Sequence, residues 1–122
     1  MYAEVDFILA LVKADDWLSE RAEAIYVEHR DDLWTSHHAL IELMLVAYRE
    51  GLVVERVVAD ASALFEVRGD VDMVLAAASY VTEHGLTPFD AIHLVESDGD
   101  PIVSSDSSYD EFTERVELEP DQ

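Results

Sequence analysis

Thr87-Pro88-Phe89-Asp90-Ala91-Ile92-His93-Leu94 reads as the opening of a helix. Thr87 can cap it, Pro88 suits the first helical position, and Asp90 stands three residues after the cap as a capping-box acid. Ala91, Ile92, Leu94 and Val95 supply the apolar side that buries the helix. Taken alone, this stretch makes Asp90 a capping residue. A chemical role needs other acids that reach the same place, and the chain on either side offers Glu4, Asp6, Glu42 and Asp106.

Beyond the stretch, Gly99-Asp100-Pro101 is a turn, and Ile102-Val103-Ser104 is a short buried strand that runs straight into Ser105-Asp106. Tyr109 to Phe112 reads as one solvated helical turn, in which Asp110 could lend charge to a site. Val116-Glu117-Leu118 is a candidate last strand, and residues 119–122 are a solvated end. Before it, Asp70 caps a helix from Val71 to about His84, and Gly85 ends it. Leu64-Phe65-Glu66-Val67 is a candidate strand ended by Arg68-Gly69, after a helix from Val53 to Ala63. Ser36 caps a long helix from His37 to Glu50, closed by Gly51. Its expected stripe is His37, Leu40, Ile41, Met44, Leu45 and Tyr48, with Glu42 about 100° from Ile41 on the flank. Leu33-Trp34-Thr35 is a short strand, and a helix runs from Asp16 to about His29. At the start, Tyr2 to Val5 alternates as a strand leading into Asp6, and Phe7 to Val12 opens a buried helix.

Strands alternating with helices across short turns predict a single domain over residues 1–122. The expected fold is α/β: a three-layer sandwich with a short, mainly parallel central sheet. In such sheets functional groups collect beyond the carboxyl ends of the strands. Asp6 and Asp106 lie at two such ends, Asp90 opens a helix that can lie at the same edge, and Glu4 shares a strand face with Asp6.

The composition narrows the chemistry. Half of the 122 residues are apolar, which argues against disorder despite a formal charge of −21. No apolar run approaches the roughly 20 residues of a membrane span, and the acidic first residues show no signal-peptide pattern. A cytoplasmic protein is expected. With no cysteine, disulfides, thiolate metal sites and a cysteine nucleophile are excluded. Lys13 is the only lysine, the remaining cations are arginines, and acids are spread along the whole chain. Such a charge opposes compaction and repels nucleic acid in dilute buffer. At molar salt the Debye length is about 3 Å, so a salt-adapted cytoplasm is expected.

Gathered carboxylates repel one another unless a cation compensates. Hard divalent ions such as Mg²⁺ or Mn²⁺ take oxygen ligands, and the chemistry they suit is phosphodiester hydrolysis by a metal-activated water. The order of four segments resembles the PIN domain, specifically the short VapC-type toxins. These are Glu4-Val5-Asp6-Phe7-Ile8-Leu9-Ala10-Leu11, Leu40-Ile41-Glu42-Leu43, Thr87 to Leu94, and Ile102-Val103-Ser104-Ser105-Asp106. The resemblance implies a metal-dependent endoribonuclease that cleaves RNA, the toxin of a toxin–antitoxin pair, bound by a cognate antitoxin protein and forming a homodimer. It implies that Asp90, Asp106 and Glu4 or Asp6 bind Mg²⁺ (or Mn²⁺), with Glu42 holding a ligand or water. One departure stands out: the family's first Asp falls on Glu4 and its Asn/Ser on Asp6. The alternative is a catalytically weak or inactive PIN-like protein-binding module.

Other residues read as structural. His38 precedes Glu42 by one helical turn and suits a side-chain hydrogen bond better than a zinc pair. His93 reads as a partly buried helical residue. Ser104, Ser105, Ser107 and Ser108 lack a nucleophile-elbow context and suit loop and cap duties. Trp17, Tyr26, Trp34 and Tyr48 are core or interface residues. Arg49, Arg56 and Arg68 either meet RNA phosphates or balance neighbouring acids.

Overall fold

Two short parallel ladders, rather than one continuous sheet, carry the strands of the computed structural model, which describes residues 1–13 and 16–118. The chain runs α1 (Val5–Val12), α2 (Ser19–His29), β1 (Trp34–Ser36), α3 (His37–Arg49), α4 (Val54–Leu64), β2 (Glu66–Arg68), α5 (Val71–His84), α6 (Pro88–Ser97), β3 (Ile102–Val103), a 3₁₀ turn (Ser107–Tyr109) and β4 (Arg115–Val116). β1 pairs with β2, Thr35 opposite Val67, and β3 pairs with β4, Val103 opposite Val116. Both ladders are parallel, as expected, and among the described residues six helices accompany them, so the architecture is α/β. The expected solvated end at 119–122 lies outside the described residues.

Local signals placed the helices well. Ser36 accepts the Ala39 N–H at 3.3 Å and Asp70 accepts the Met73 N–H at 3.0 Å. Gly85 closes α5 in the left-handed conformation with φ 70°. The start of the chain differs from expectation. Tyr2 makes only an isolated parallel bridge to Trp34, and α1 already begins at Val5 with Glu4 as its N-cap. Asp6 therefore sits in the first turn of a helix, not on a strand face shared with Glu4. Burial favours the helix: Val5 and Ile8, one turn apart, are both in the core, and an acid in the first turn suits the helix dipole. Thr35 is fully buried, and its hydroxyl donates to the Ala3 carbonyl at 2.8 Å, tying the first residues to β1.

The core is built mainly between consecutive helices α3, α4, α5 and α6, around Leu40, Leu43, Met44, Val58, Val74 and Ala77. On α3 the buried face is Ala39, Leu40, Leu43, Met44 and Ala47, rotated from the expected stripe, and Tyr48 is exposed. α1, α4 and α5 all close on α3, so its buried face meets three neighbours at once. β3 was expected to be buried, yet Val103 is 62% exposed, as a two-stranded ladder leaves one face open. On α2 only Ala22 is fully buried, and Trp17 just before it is exposed rather than packed. Lys13, at the end of α1, reaches the end of α3, with its Nζ 2.8 Å from Glu50 Oε1. Among the described residues no helix is long and apolar enough to cross a membrane.

Candidate active site

α6 starts where the sequence places it. Thr87 is the N-cap and Pro88 the first helical residue, but the Thr87 side chain makes no capping hydrogen bond. Asp90, half-buried in the first turn, instead accepts the Tyr109 hydroxyl through Oδ1 at 3.1 Å. Tyr109 comes from the segment that follows β3. There Asp106 caps the 3₁₀ turn, its Oδ1 accepting the Ser108 N–H at 2.9 Å while its own N–H donates to Ser104 Oγ at 3.0 Å. These short-range bonds fix Asp106 and carry Tyr109 inward, and the tyrosine is only 4% exposed. Two acids from separate elements thereby meet over one phenol.

The electrostatics follow from that meeting. Asp106 is held below the ordinary carboxylate value, first by the Ser108 backbone amide and also by the Arg115 charge, and Asp90 stands close by. The Tyr109 phenol is pushed up to about 12, first by burial, then by the charge of Asp90 and the bond to it, then by the charge of Asp106. Two carboxyl groups that both act on one phenol repel each other when both are ionised. A divalent cation relieves that repulsion. Mg²⁺ is usually held by one or two carboxylates together with waters, so this pair of hard oxygen donors fits such an ion.

Arg115 anchors the segment. Its Nε donates to Asp110 Oδ1 at 2.7 Å and its Nη2 to Asp110 Oδ2 at 3.2 Å, a two-point contact. Nη2 also reaches Glu117 Oε1 at 3.2 Å, and Nη1 donates to the Ser104 carbonyl at 3.0 Å. The Arg115–Asp110 bond lowers Asp110 below its ordinary value. Beside this loop lies a cleft of about 470 Å³, lined by His93, Glu96, Ser97, Ile102, Val103, Ser104 and Tyr109.

The other candidate acids sit elsewhere. Glu4 heads α1 without a side-chain capping bond, and Asp6 borders a pocket of about 150 Å³ between α1 and α2. Glu42 is exposed on α3. Among the described residues, no three of His, Asp and Glu are grouped to hold a metal ion. The structure thus brings Asp90 and Asp106 together and leaves Glu4, Asp6 and Glu42 outside that pair. His38 stacks on His37 with ring centroids 4.5 Å apart, and His93 is exposed rather than partly buried. Arg68 lies over the Trp34 ring, 3.8 Å from its centroid, and within 3.5 Å of Glu66.

Two residues here escaped the sequence reading. Sequence pattern places Tyr109 in a solvated turn and gives Arg115 no role. The available signals were an aromatic three residues after Asp106 and the only cation between Gly99 and the end of the chain.

No curated protein and no solved structure matches the chain. A family comparison does match, over residues 2–114, to the PIN domain. PIN domains are generally nucleases, those nucleases typically use divalent metals, and they bind RNA. The match begins at Tyr2 and takes in Asp90, Asp106 and Tyr109, nearly the full length of the chain, and this protein belongs to the PIN domain family.

Proposed function

We propose that this protein is a Mg²⁺- or Mn²⁺-dependent endoribonuclease that hydrolyses RNA phosphodiester bonds. The observation that carries the reading is the meeting of Asp90 and Asp106 at Tyr109. Asp90 and Asp106 hold the ion; for Glu4 or Asp6 to add a further oxygen ligand, and Glu42 to hold a ligand or a water, these side chains would have to move to the pair, since they lie outside it in this structure. A bound divalent ion would supply an activated water and neutralise charge on the attacking and leaving oxygens. The chain's own part is to fix its ligands. Ser108 holds Asp106, Tyr109 holds Asp90, and Arg115 ties Ser104 and Asp110 on either side of Asp106.

The same reading makes the chain the toxin of a toxin–antitoxin pair in a salt-adapted cytoplasm, acting as a homodimer restrained by a cognate antitoxin. Support for the toxin role is the order of the four acid-bearing segments across the matched residues. A second reading, a PIN-like binding module of weak or no activity, draws on one observation: Glu4, Asp6 and Glu42 are not grouped with the aspartate pair.

Purified protein incubated with RNA at high KCl, with Mn²⁺ or with EDTA, separates the two. Cleavage is expected only with metal, falling by more than about 100-fold in Asp90→Asn and in Asp106→Asn. Cutting that is indifferent to both substitutions, or no cutting by the unaltered chain under any metal, would sink the nuclease reading.

A further inference from the structure

Tyr109 holds more chemistry than its packing requires. Its ring belongs to the hydrophobic core, where a phenylalanine ring would fill the same space, so the hydroxyl is the part that packing leaves unexplained. That hydroxyl is aimed at Asp90 Oδ1, 3.1 Å away, from a residue 4% exposed. A phenol bonded to a carboxylate makes a charge-assisted hydrogen bond, stronger than one between neutral groups. Its single proton serves one oxygen, so Asp90 Oδ2 remains available to a cation. The same phenol is reached by the charge of Asp106, which sits three residues earlier in a loop pinned by its own bonds.

We propose that Tyr109 is a positioning residue for metal binding: its hydroxyl fixes the rotation of the Asp90 carboxyl, so that Asp90 and Asp106 present their oxygens to one divalent cation. This rests on the metal-dependent reading above and adds to it a residue that touches neither metal nor substrate. Groups that orient a metal ligand by hydrogen bonding are commonly worth 10- to 100-fold in affinity or activity.

The test is Mn²⁺ binding in the absence of RNA, followed by the loss of the free-ion electron paramagnetic resonance signal at fixed KCl. The unaltered chain, Tyr109→Phe, Asp90→Asn and the double variant are compared, with thermal unfolding recorded for each. Tyr109→Phe is expected to bind Mn²⁺ about 10-fold more weakly while unfolding only a few degrees earlier. In the Asp90→Asn background the same change is expected to have no further effect, because the group it orients is gone. A Tyr109→Phe protein with a lowered unfolding temperature and unchanged Mn²⁺ affinity assigns the hydroxyl to stability alone and overturns the proposal. Mn²⁺ bound by the unaltered chain, lost in Asp90→Asn and untouched in Tyr109→Phe overturns the positioning role but spares the metal reading. No Mn²⁺ binding by the unaltered chain removes both. Should Tyr109→Phe fail to fold, fluorotyrosine placed at position 109 alters donor strength with little change of shape. A shift in Mn²⁺ affinity then supports the role, and a constant affinity rejects it.

Discussion

At Asp90 and Asp106 the side chains are legible in sequence while their setting is not. Asp90 could be located because capping chemistry is local: Thr87, Pro88 and Asp90 mark a helix start within four residues. Tyr109 could not, because its depth depends on how the segment after β3 folds back over α6, and nothing near it in sequence encodes that. A buried phenol beside two acids has a spectroscopic consequence. Of the five tyrosines, Tyr109 is expected to ionise near 12, and an ultraviolet titration should show a late component that disappears in Tyr109→Phe. The sign follows from the raised value: the neutral phenol's contribution to stability is complete below pH 10 and is lost as pH rises toward 12. A second residue-scale prediction concerns Gly69. Its φ of 110° lies where side chains are strained, and a Cβ there would run into the His37 imidazole. Gly69→Ala is expected to cost about 1–3 kcal/mol, read as a lower denaturant midpoint.

Among the elements, the contrast lies between helices and ladders. Ser36, Asp70 and Gly85 set helix ends by contacts within a few residues, and the sequence marks them plainly. The strands are two or three residues long, and each needs a partner far along the chain, Trp34 with Glu66 or Val103 with Val116. Period-2 patterning over so few residues cannot fix where a strand begins, and for that reason it points to a strand at Asp6, which belongs to α1. The loop between β3 and β4 depends on Arg115, whose side chain is 9% exposed. Arg115→Met removes the contacts to Asp110, Glu117 and the Ser104 carbonyl. Faster amide hydrogen exchange from Ser105 to Glu114 is the expected result, with exchange in α3 unchanged. Acid should act on the same loop. Asp106 and Asp110 are both held below 3.8 in the folded chain, so the stability they contribute is present above that value and is lost as pH falls through their lowered ones. Unfolding temperature followed from pH 5 downward should fall less steeply in Arg115→Met, which has already lost part of that contribution.

Across the whole molecule, charge outweighs any single contact. Seven Lys and Arg face 28 Asp and Glu, and several of the cations are held within the fold, Lys13 by Glu50, Arg68 over Trp34, and Arg115 by Asp110. The remaining acids repel one another over the surface. Raising KCl from about 0.1 M to 1 M shortens the Debye length from about 10 Å to about 3 Å. The unfolding temperature is therefore expected to climb steadily with KCl, and a flat profile would show that repulsion does not govern stability here. The family and the α/β class were legible at this scale because four acid-bearing segments keep their order and intervals along the chain. Grouping of the outlying acids Glu4, Asp6 and Glu42 was not, since it depends on how α1 and α3 sit against α6, which composition cannot express.

The bond between Lys13 and Glu50 carries a practical corollary for anyone seeking binding partners. Reagents that couple through side-chain amines will find a single lysine, at the corner where α1 meets α3. Amine-directed capture would map one corner and miss every other contact. Carbodiimide coupling, with 28 carboxylates spread along the chain, offers far wider coverage.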